Sequence, residues 1–218
     1  MTYTLYYAPG TASLAVHWAL IDLGVPFETK KLSFEAGDQR APAYLAINPA
    51  GRVPTLVADG EPVAEAVAIL MLLAERHPDA GLAPPPGSPG RAHWLALMAF
   101  FANGLAAPFR DWFYADKDGD PAGAEAVKAL ARRRIEQAWD RLDGELGDRD
   151  FLAGAAPGAA DYLAAMYMRW SRNMPRPATD WPNLSALAVR MAARPAYADL
   201  VAREGLTPWP ASPPPGGA

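Results

Sequence analysis

The segment Asn48-Pro49-Ala50-Gly51-Arg52-Val53-Pro54-Thr55-Leu56, followed nine residues on by Glu65-Ala66 at the head of an apolar run, carries the most chemistry-bearing pattern of the chain. A Val-Pro bond opening a short strand is a place where a tight turn selects a cis proline, because cis is only mildly penalised before proline. That geometry turns the N–H and C=O of Val53 outward and predicts an unpaired edge to which an extended peptide adds as a further strand. Glu65 falls at the start of a helix predicted over 66–76, where free N–H groups and the positive dipole end attract a carboxylate. The two segments together imply recognition of a small acidic peptide through its backbone.

The elements that must position these residues follow from periodicity. Thr4-Leu5-Tyr6-Tyr7 reads as a strand, and Pro9-Gly10 turns into a helix with Val16, Ala19, Leu20 and Leu23 on one face, stopped at Gly24-Val25-Pro26. A second strand over 27–32, a short helix over 42–47 and two strands flanking Asp59-Gly60, a strong hairpin signal, complete the order βαβ, α, ββα. This is the order of a thioredoxin-like domain, assigned to residues 1–77. Residues 78–90, rich in Pro and Gly, read as a linker in which no regular element persists. Beyond it only helical patterns occur, at about 91–113, 122–146 (with Val127, Leu130, Ile135, Ala138, Leu142 and Leu146 at helical spacing), 159–171, 183–193 and 195–204. The expectation is an α+β protein: a thioredoxin-like N-terminal domain, then an all-helical C-terminal domain over 91–208. Residues 209–218 read as a mobile or surface-draped tail.

The Asn48–Leu56 segment, Glu65 and the amino-terminal Tyr6-Tyr7-Ala8-Pro9-Gly10 resemble the glutathione transferase family over roughly residues 2–205. The resemblance implies glutathione as co-substrate, a lowered thiol pKa, and a small apolar electrophile in a second pocket between domains. Thiolate is the nucleophile, and an unperturbed thiol near pKa ~8.5 is mostly protonated at neutral pH. Against serine-type members, Thr11 stands in the place of the active hydroxyl; against the bacterial cysteine-type members, which the whole chain resembles more closely, Ala12 stands where the cysteine would be. Ser13 is a second hydroxyl, and Tyr7 matches in spacing the catalytic tyrosine of animal-type members, although bacterial members carry a tyrosine there without using it. Thr11 and Ser13 are the catalytic candidates, and both are also ordinary helix N-cap types. For Tyr7 the packing role is the expected one.

By the same resemblance Glu65 and the following residue hold the γ-glutamyl end; the family has a serine in the second place, and here it is Ala66. Arg52 is the candidate to pair with the glycyl carboxylate, against the alternative of a solvated loop arginine, and Val53 and Pro54 take the peptide backbone. Ala106 replaces a histidine of the bacterial members, and Asn103 lies near the partner subunit's site. Phe109, Trp112, Phe113 and Tyr114, with Met166 and Trp170 behind, supply the apolar surface for the electrophile, against the alternative that aromatics at this spacing are core. Asp161, three residues after Gly158, resembles the family's capping-box acid and is assigned to folding.

Composition narrows the rest. Of 218 residues 51% are hydrophobic, enough for a full core, and the net charge of −4 has no basic run, which argues against nucleic acid. Zero cysteines excludes disulfides and any protein-borne thiol, and fits a cytoplasmic protein, as does a start that enters a strand directly. His17, His77 and His93 have no metal-ligand spacing and no Gly-rich phosphate loop follows a strand, so neither metal nor nucleotide is expected. Ala92 to Phe109 is uncharged and long enough to span a membrane, but its His, Asn, Gly and Ala content reads as a buried or subunit-interface helix. The apolar run Val67–Ala74 points the same way, to a homodimer.

The leading expectation is therefore a cytoplasmic glutathione transferase with a detoxifying type of chemistry. The alternatives are a weakened member kept as a ligand carrier or protein-interaction scaffold, which Ala12, Ala66 and Ala106 favour, or a glutathione-dependent peroxidase, isomerase or lyase.

Overall fold

Tyr3–Tyr7 forms β1, whose alternate residues Tyr3, Leu5 and Tyr7 point into the core as a half-buried strand requires. It pairs in parallel with β2 (Glu28–Lys31) and antiparallel with β3 (Thr55–Ala58), which pairs antiparallel with β4 (Glu61–Ala64). The sheet order is β2-β1-β3-β4. Both outer strands resist further pairing: β2 is fully exposed and carries Glu28, Lys30 and Lys31, and β4 carries Pro62. This computed structural model describes residues 1–210; the tail expectation for 211–218 lies outside the described residues.

Helix α1 (Ser13–Leu23) is buried from Ser13 to Leu20, because sheet, α3 (Ala66–Arg76) and α9 (Pro195–Glu204) all pack on it. Leu14, Val16 and Leu20 are fully buried there, so each adds about 1.5–3 kcal/mol, and truncating one to Ala would cost about 2–5. A four-residue helix, α2 (Pro42–Leu45), completes the first half. The contact pattern divides the described residues into 1–82 with 191–210, and 83–190. The domain drawn over 91–208 is thus corrected at its end: α9 belongs with the first unit, where Arg194 pairs with Asp22 at 2.5 Å and the Tyr197 ring lies tilted against Trp18 at 4.7 Å. Trp209, expected to begin a loose tail, is tied to the Tyr197 hydroxyl through its own N–H and C=O. The linker contains one 3-10 turn, Pro78–Ala80.

The second unit is helical. The long predicted helix is α4 (Arg91–Phe100), a π-helical turn (Phe101–Leu105) and α5 (Ala106–Asp118), kinked at Tyr114. By length and composition it could cross a membrane, with 39% of its most apolar window buried. Leu95 is 43% exposed, and Ala92, Ala96, Ala99 and Ala102 are exposed beside it. In α6 (Ala124–Leu146) the buried stripe is Ala124, Ala131, Ile135, Ala138, Trp139, Leu142 and Leu146. Val127 and Leu130, expected on that face, are 40% and 39% exposed.

Helix α7 (Ala159–Trp170) is buried along nearly its whole length. Asp161 closes its N-terminus: Oδ2 accepts the Gly158 amide at 2.8 Å and Oδ1 the Leu152 amide at 2.9 Å. Burial pushes the Asp161 carboxyl up to about 6, against the opposing pull of those amides. Helix α8 (Pro182–Ala192) starts under Asp143 of α6, which accepts the amides of Asn183 and Leu184.

Candidate functional site

The ladder register gathers the candidate segments. Thr55 pairs with Ala64 on one side and Tyr6 on the other. Tyr7 and the turn that follows it, Val53, and Glu65-Ala66 therefore all lie at one end of the sheet.

Val53 is half-buried, its bond to Pro54 is cis, and neither its N–H nor its C=O has a partner among the described residues. The expected open strand edge is corrected: β3 is an inner strand, and Val53 stands two residues beyond the start of its ladder. A peptide would meet these groups at the sheet's end. The loop is held from below. Tyr44 Oη donates to the Arg52 carbonyl at 2.5 Å, Asn48 Nδ2 donates to the same oxygen at 2.9 Å, and both side chains bond the buried Thr55 hydroxyl. Gly51 must be glycine here: φ is +59°, and a Cβ would lie 2.7 Å from the Gln39 carbonyl. Pro54 is buried, while the Arg52 side chain is exposed and makes no ion pair among the described residues.

Glu65 is the N-cap of α3, at the head of the helix that runs over 66–76. It is a non-glycine residue at φ +70°, ψ +116°, a conformation costing about 1–3 kcal/mol that persists where the surroundings enforce it. Among the described residues no side chain caps the first turn of α3, which leaves the amides that open it for a ligand, and Ala66 offers no hydroxyl.

The turn from Ala8 to Ser13 closes on itself. Ser13 is fully buried; its hydroxyl donates to the Ala8 carbonyl at 3.0 Å and accepts the Ala8 amide at 3.3 Å. Ser13 is thereby corrected from catalytic candidate to a structural clasp. Thr11, half-exposed, also reaches the Ala8 carbonyl at 2.8 Å and Ser13 Oγ at 2.9 Å. Neither caps α1 in the usual way, since the N-cap is Ala12. Tyr7 is buried with its ring against His17 at 5.0 Å; burial first, and the Glu204 charge second, raise its phenol pKa, and its hydroxyl has no hydrogen bond among the described residues.

The remaining candidates lie in the helical unit. Asn103 is exposed in the single chain, and its amide donates to the Ala99 carbonyl one turn back at 2.9 Å. Phe109 is fully buried, stacked on Tyr167 at 5.6 Å and met edge-on by Trp170 at 5.7 Å, so it is core and is corrected as a substrate contact. Phe113 is 44% exposed, Trp112 and Tyr114 half-buried, and the Arg110 guanidinium covers Tyr114 at 4.4 Å while forking onto Asp118. Met166 is buried behind them. A recess of about 350 Å³ lies elsewhere in that unit, between the π turn and α6, beside Asn103, Gly104 and Arg134. Among the described residues no cluster of three or more His, Asp or Glu could hold a metal ion.

Models of the families described as "Glutathione S-transferase, N-terminal domain" and "Glutathione S-transferase, C-terminal domain" match residues 1–75 and 93–195. The chain belongs to the glutathione S-transferase family. It is 30% identical to glutathione S-transferase GstA of Escherichia coli O157:H7 over 208 residues, 93% of this chain and 98% of that one. It is 27% identical to a maleylacetoacetate isomerase of Pseudomonas aeruginosa over 205 residues, 89% and 92% of the two chains. A solved sphingomonad glutathione S-transferase in complex with glutathione superposes with a TM-score of 0.82 at 33% identity, covering 94% of this chain and 100% of that one. Four residues that hold these segments were not among the candidates: Tyr44 and Thr55 under the loop, and His17 and Glu204 beside the Gly10 turn. The available signals were a hydroxyl side chain four residues before Asn48 and another seven residues after it, and a glutamate on the apolar stripe Tyr197–Leu200–Glu204 of α9.

Proposed function

We propose that this chain is a glutathione transferase that joins glutathione thiolate to small apolar electrophiles in the cytoplasm. The observation that carries the reading is the convergence, at one end of the sheet, of the unpaired Val53 backbone, the bare N-terminus of α3 behind Glu65, and the Thr11 turn. A tripeptide with a carboxylate at each end matches these groups. Val53 takes the cysteinyl backbone, the α3 amides and Glu65 the γ-glutamyl end, and the exposed Arg52 the glycyl carboxylate.

The sulfur then falls to Thr11. Ser13 alone satisfies the Ala8 carbonyl, so the Thr11 hydrogen can leave it. That gives up a neutral hydrogen bond of about 1 kcal/mol for one to a thiolate, of about 1.5–3. The exchange favours the thiolate. Trp112, Phe113 and Tyr114 are the side chains offered to the electrophile. The exposed apolar face of α4 around Leu95 supports a homodimer, which light scattering would report directly.

The deciding experiment titrates glutathione calorimetrically and follows the ultraviolet absorbance of the bound thiolate against pH, with chlorodinitrobenzene conjugation alongside. Binding with a depressed thiol pKa and turnover supports the transferase. Binding without either leaves a carrier, the reading that Ala12, Ala66 and Ala106 favour, and no binding refutes both. Because one relative is named an isomerase, a cis–trans isomerisation assay on a maleyl substrate separates that activity.

A further inference from the structure

Glu204, the last residue of α9, is 5% exposed, and each of its carboxylate oxygens is engaged by the amino-terminal part of the chain. Oε2 accepts the Gly10 amide at 2.8 Å, and Oε1 lies 2.8 Å from His17 Nδ1. His17 Nε2 is buried without a partner among the described residues, so the ring proton belongs on Nδ1, where an acceptor awaits it. The His17 ring is fixed in turn by Tyr7 at 5.0 Å and edge-on by Phe27 at 5.7 Å. Gly10 is 194 residues from Glu204 in sequence and one residue from Thr11.

The hydroxyls of Thr11 and Ser13 tie this turn at Ala8 and at each other, and those bonds reach neither Pro9 nor Gly10. Gly10 has φ +68° and no Cβ to restrict it, and the backbone bond that closes the turn, Thr11 N–H to Ala8 C=O, is long at 3.3 Å. The charge-assisted bond from Gly10 to a buried carboxylate is the stronger constraint on the Pro9–Gly10 peptide plane. Whatever fixes that plane fixes where Thr11 and the first amides of α1 point.

We propose that Glu204 is a positioning residue for the sulfur subsite: by clamping the Gly10 amide against His17, it aims the Thr11 hydroxyl and the start of α1 at the glutathione sulfur. The inference rests on the glutathione reading above. Glu204 itself touches neither the thiol nor the electrophile, and the glycyl and γ-glutamyl ends are held by other residues, so its loss acts on the chemical step rather than on affinity.

The test compares Glu204→Ala and Glu204→Gln with the wild type in glutathione calorimetry, thiolate titration and steady-state conjugation of chlorodinitrobenzene, with circular dichroism as the fold control. For Glu204→Ala the expected result is a kcat lowered about ten- to a hundred-fold, with KM for glutathione within about two-fold. The bound thiol pKa moves back toward that of free glutathione. Glu204→Gln recovers most of the rate, because its carbonyl accepts Gly10 N–H while its amide donates to Nδ1, the ring proton shifting to Nε2. A folded Glu204→Ala protein with wild-type kcat and thiol pKa, or one that changes only KM, overturns the proposal. If that variant does not fold, amide exchange of Gly10 in the wild type decides: slow exchange supports the clamp, and exchange at the rate of an open loop overturns it. A wild type that does not bind glutathione refutes the functional reading instead.

Discussion

The Thr55 hydroxyl sits 2.8 Å from Tyr44 Oη, beneath the loop that carries Arg52 and Val53. Since the single Tyr44 hydrogen goes to the Arg52 carbonyl, Thr55 is the donor of this pair, and Asn48 donates into Thr55 from the other side. Burial raises the Tyr44 phenol pKa, so the group stays a donor throughout the working pH range. The three side chains set the height of the loop. Tyr44→Phe removes one of the two bonds to the Arg52 carbonyl and leaves Thr55 without its acceptor, a loss of about 1 kcal/mol. We expect a glutathione Kd raised about five-fold by calorimetry and a melting temperature lower by about 2–4 °C. An unchanged Kd would mean that the loop height is set elsewhere.

Ala66 marks an absence that can be repaired. The first turn of α3 has no side-chain cap, and a serine at 66 would offer a hydroxyl to the ligand carboxylate beside those amides. Ala66→Ser should tighten glutathione by about 1–2 kcal/mol, roughly five- to thirty-fold in Kd, with little change in melting temperature. A Kd that stays put would place the γ-glutamyl carboxylate away from residue 66.

How much of this was legible follows from the range of each interaction. Periodicity and turn residues act locally, so β1, α1, the β3–β4 hairpin around Asp59-Gly60 and α3 over 66–76 were readable within a residue or two. The loop at Val53 was readable because Pro54 and Gly51 constrain the backbone in place. Strand order was not: whether β3 is an edge depends on which strand lies beyond it, and β4 took that position. Ser13 and Phe109 were misassigned for one reason, that burial is a property of the packed chain. A hydroxyl at a helix start and an aromatic on a long helix look the same in sequence whether they face solvent or the core. The Gly10–Glu204 bond, spanning almost the whole chain, was visible only as an acid on an apolar stripe.

Asp161 gives a pH dependence of unusual sign. Its carboxyl is raised from 3.8 to about 6 in the folded protein, so the native state binds that proton more tightly than the unfolded chain does. Its favourable contribution is therefore complete below about pH 4 and fades as pH rises through about 6, amounting to roughly 3 kcal/mol over that window. Asp161→Asn cannot titrate, and it turns an amide N–H toward one of the two backbone donors, so it should be less stable at every pH. Melting curves from pH 4 to 8 should show the gap between wild type and variant narrowing as pH increases. A gap that widens instead would show that the amides of Leu152 and Gly158 outweigh burial and hold the carboxyl low.

Thr11 and Ser13 separate chemistry from folding within one turn. Ser13 is fully buried and answers both polar groups of Ala8, so Ser13→Ala strips the Ala8 amide of its acceptor and leaves the carbonyl to Thr11, a destabilisation of about 1–3 kcal/mol. That is about 2–12 °C in melting temperature for a chain of this size. Thr11 is half-exposed, and Ser13 can satisfy Ala8 without it, so Thr11→Ala should lower the melting temperature far less. It should instead raise the bound thiol pKa, by about one to two units for a charge-assisted bond of about 1.5–3 kcal/mol, and lower kcat below that pKa. Thr11→Ser, which keeps the hydroxyl and drops the methyl, should retain the depressed thiol pKa. The opposite pattern, with Thr11→Ala silent and Ser13→Ala folded but unable to ionise the thiol, would move the sulfur donor to Ser13. If both leave the thiol pKa where the wild type has it, the donor is a backbone amide at the start of α1 or the unpaired hydroxyl of Tyr7, and Tyr7→Phe then distinguishes the two.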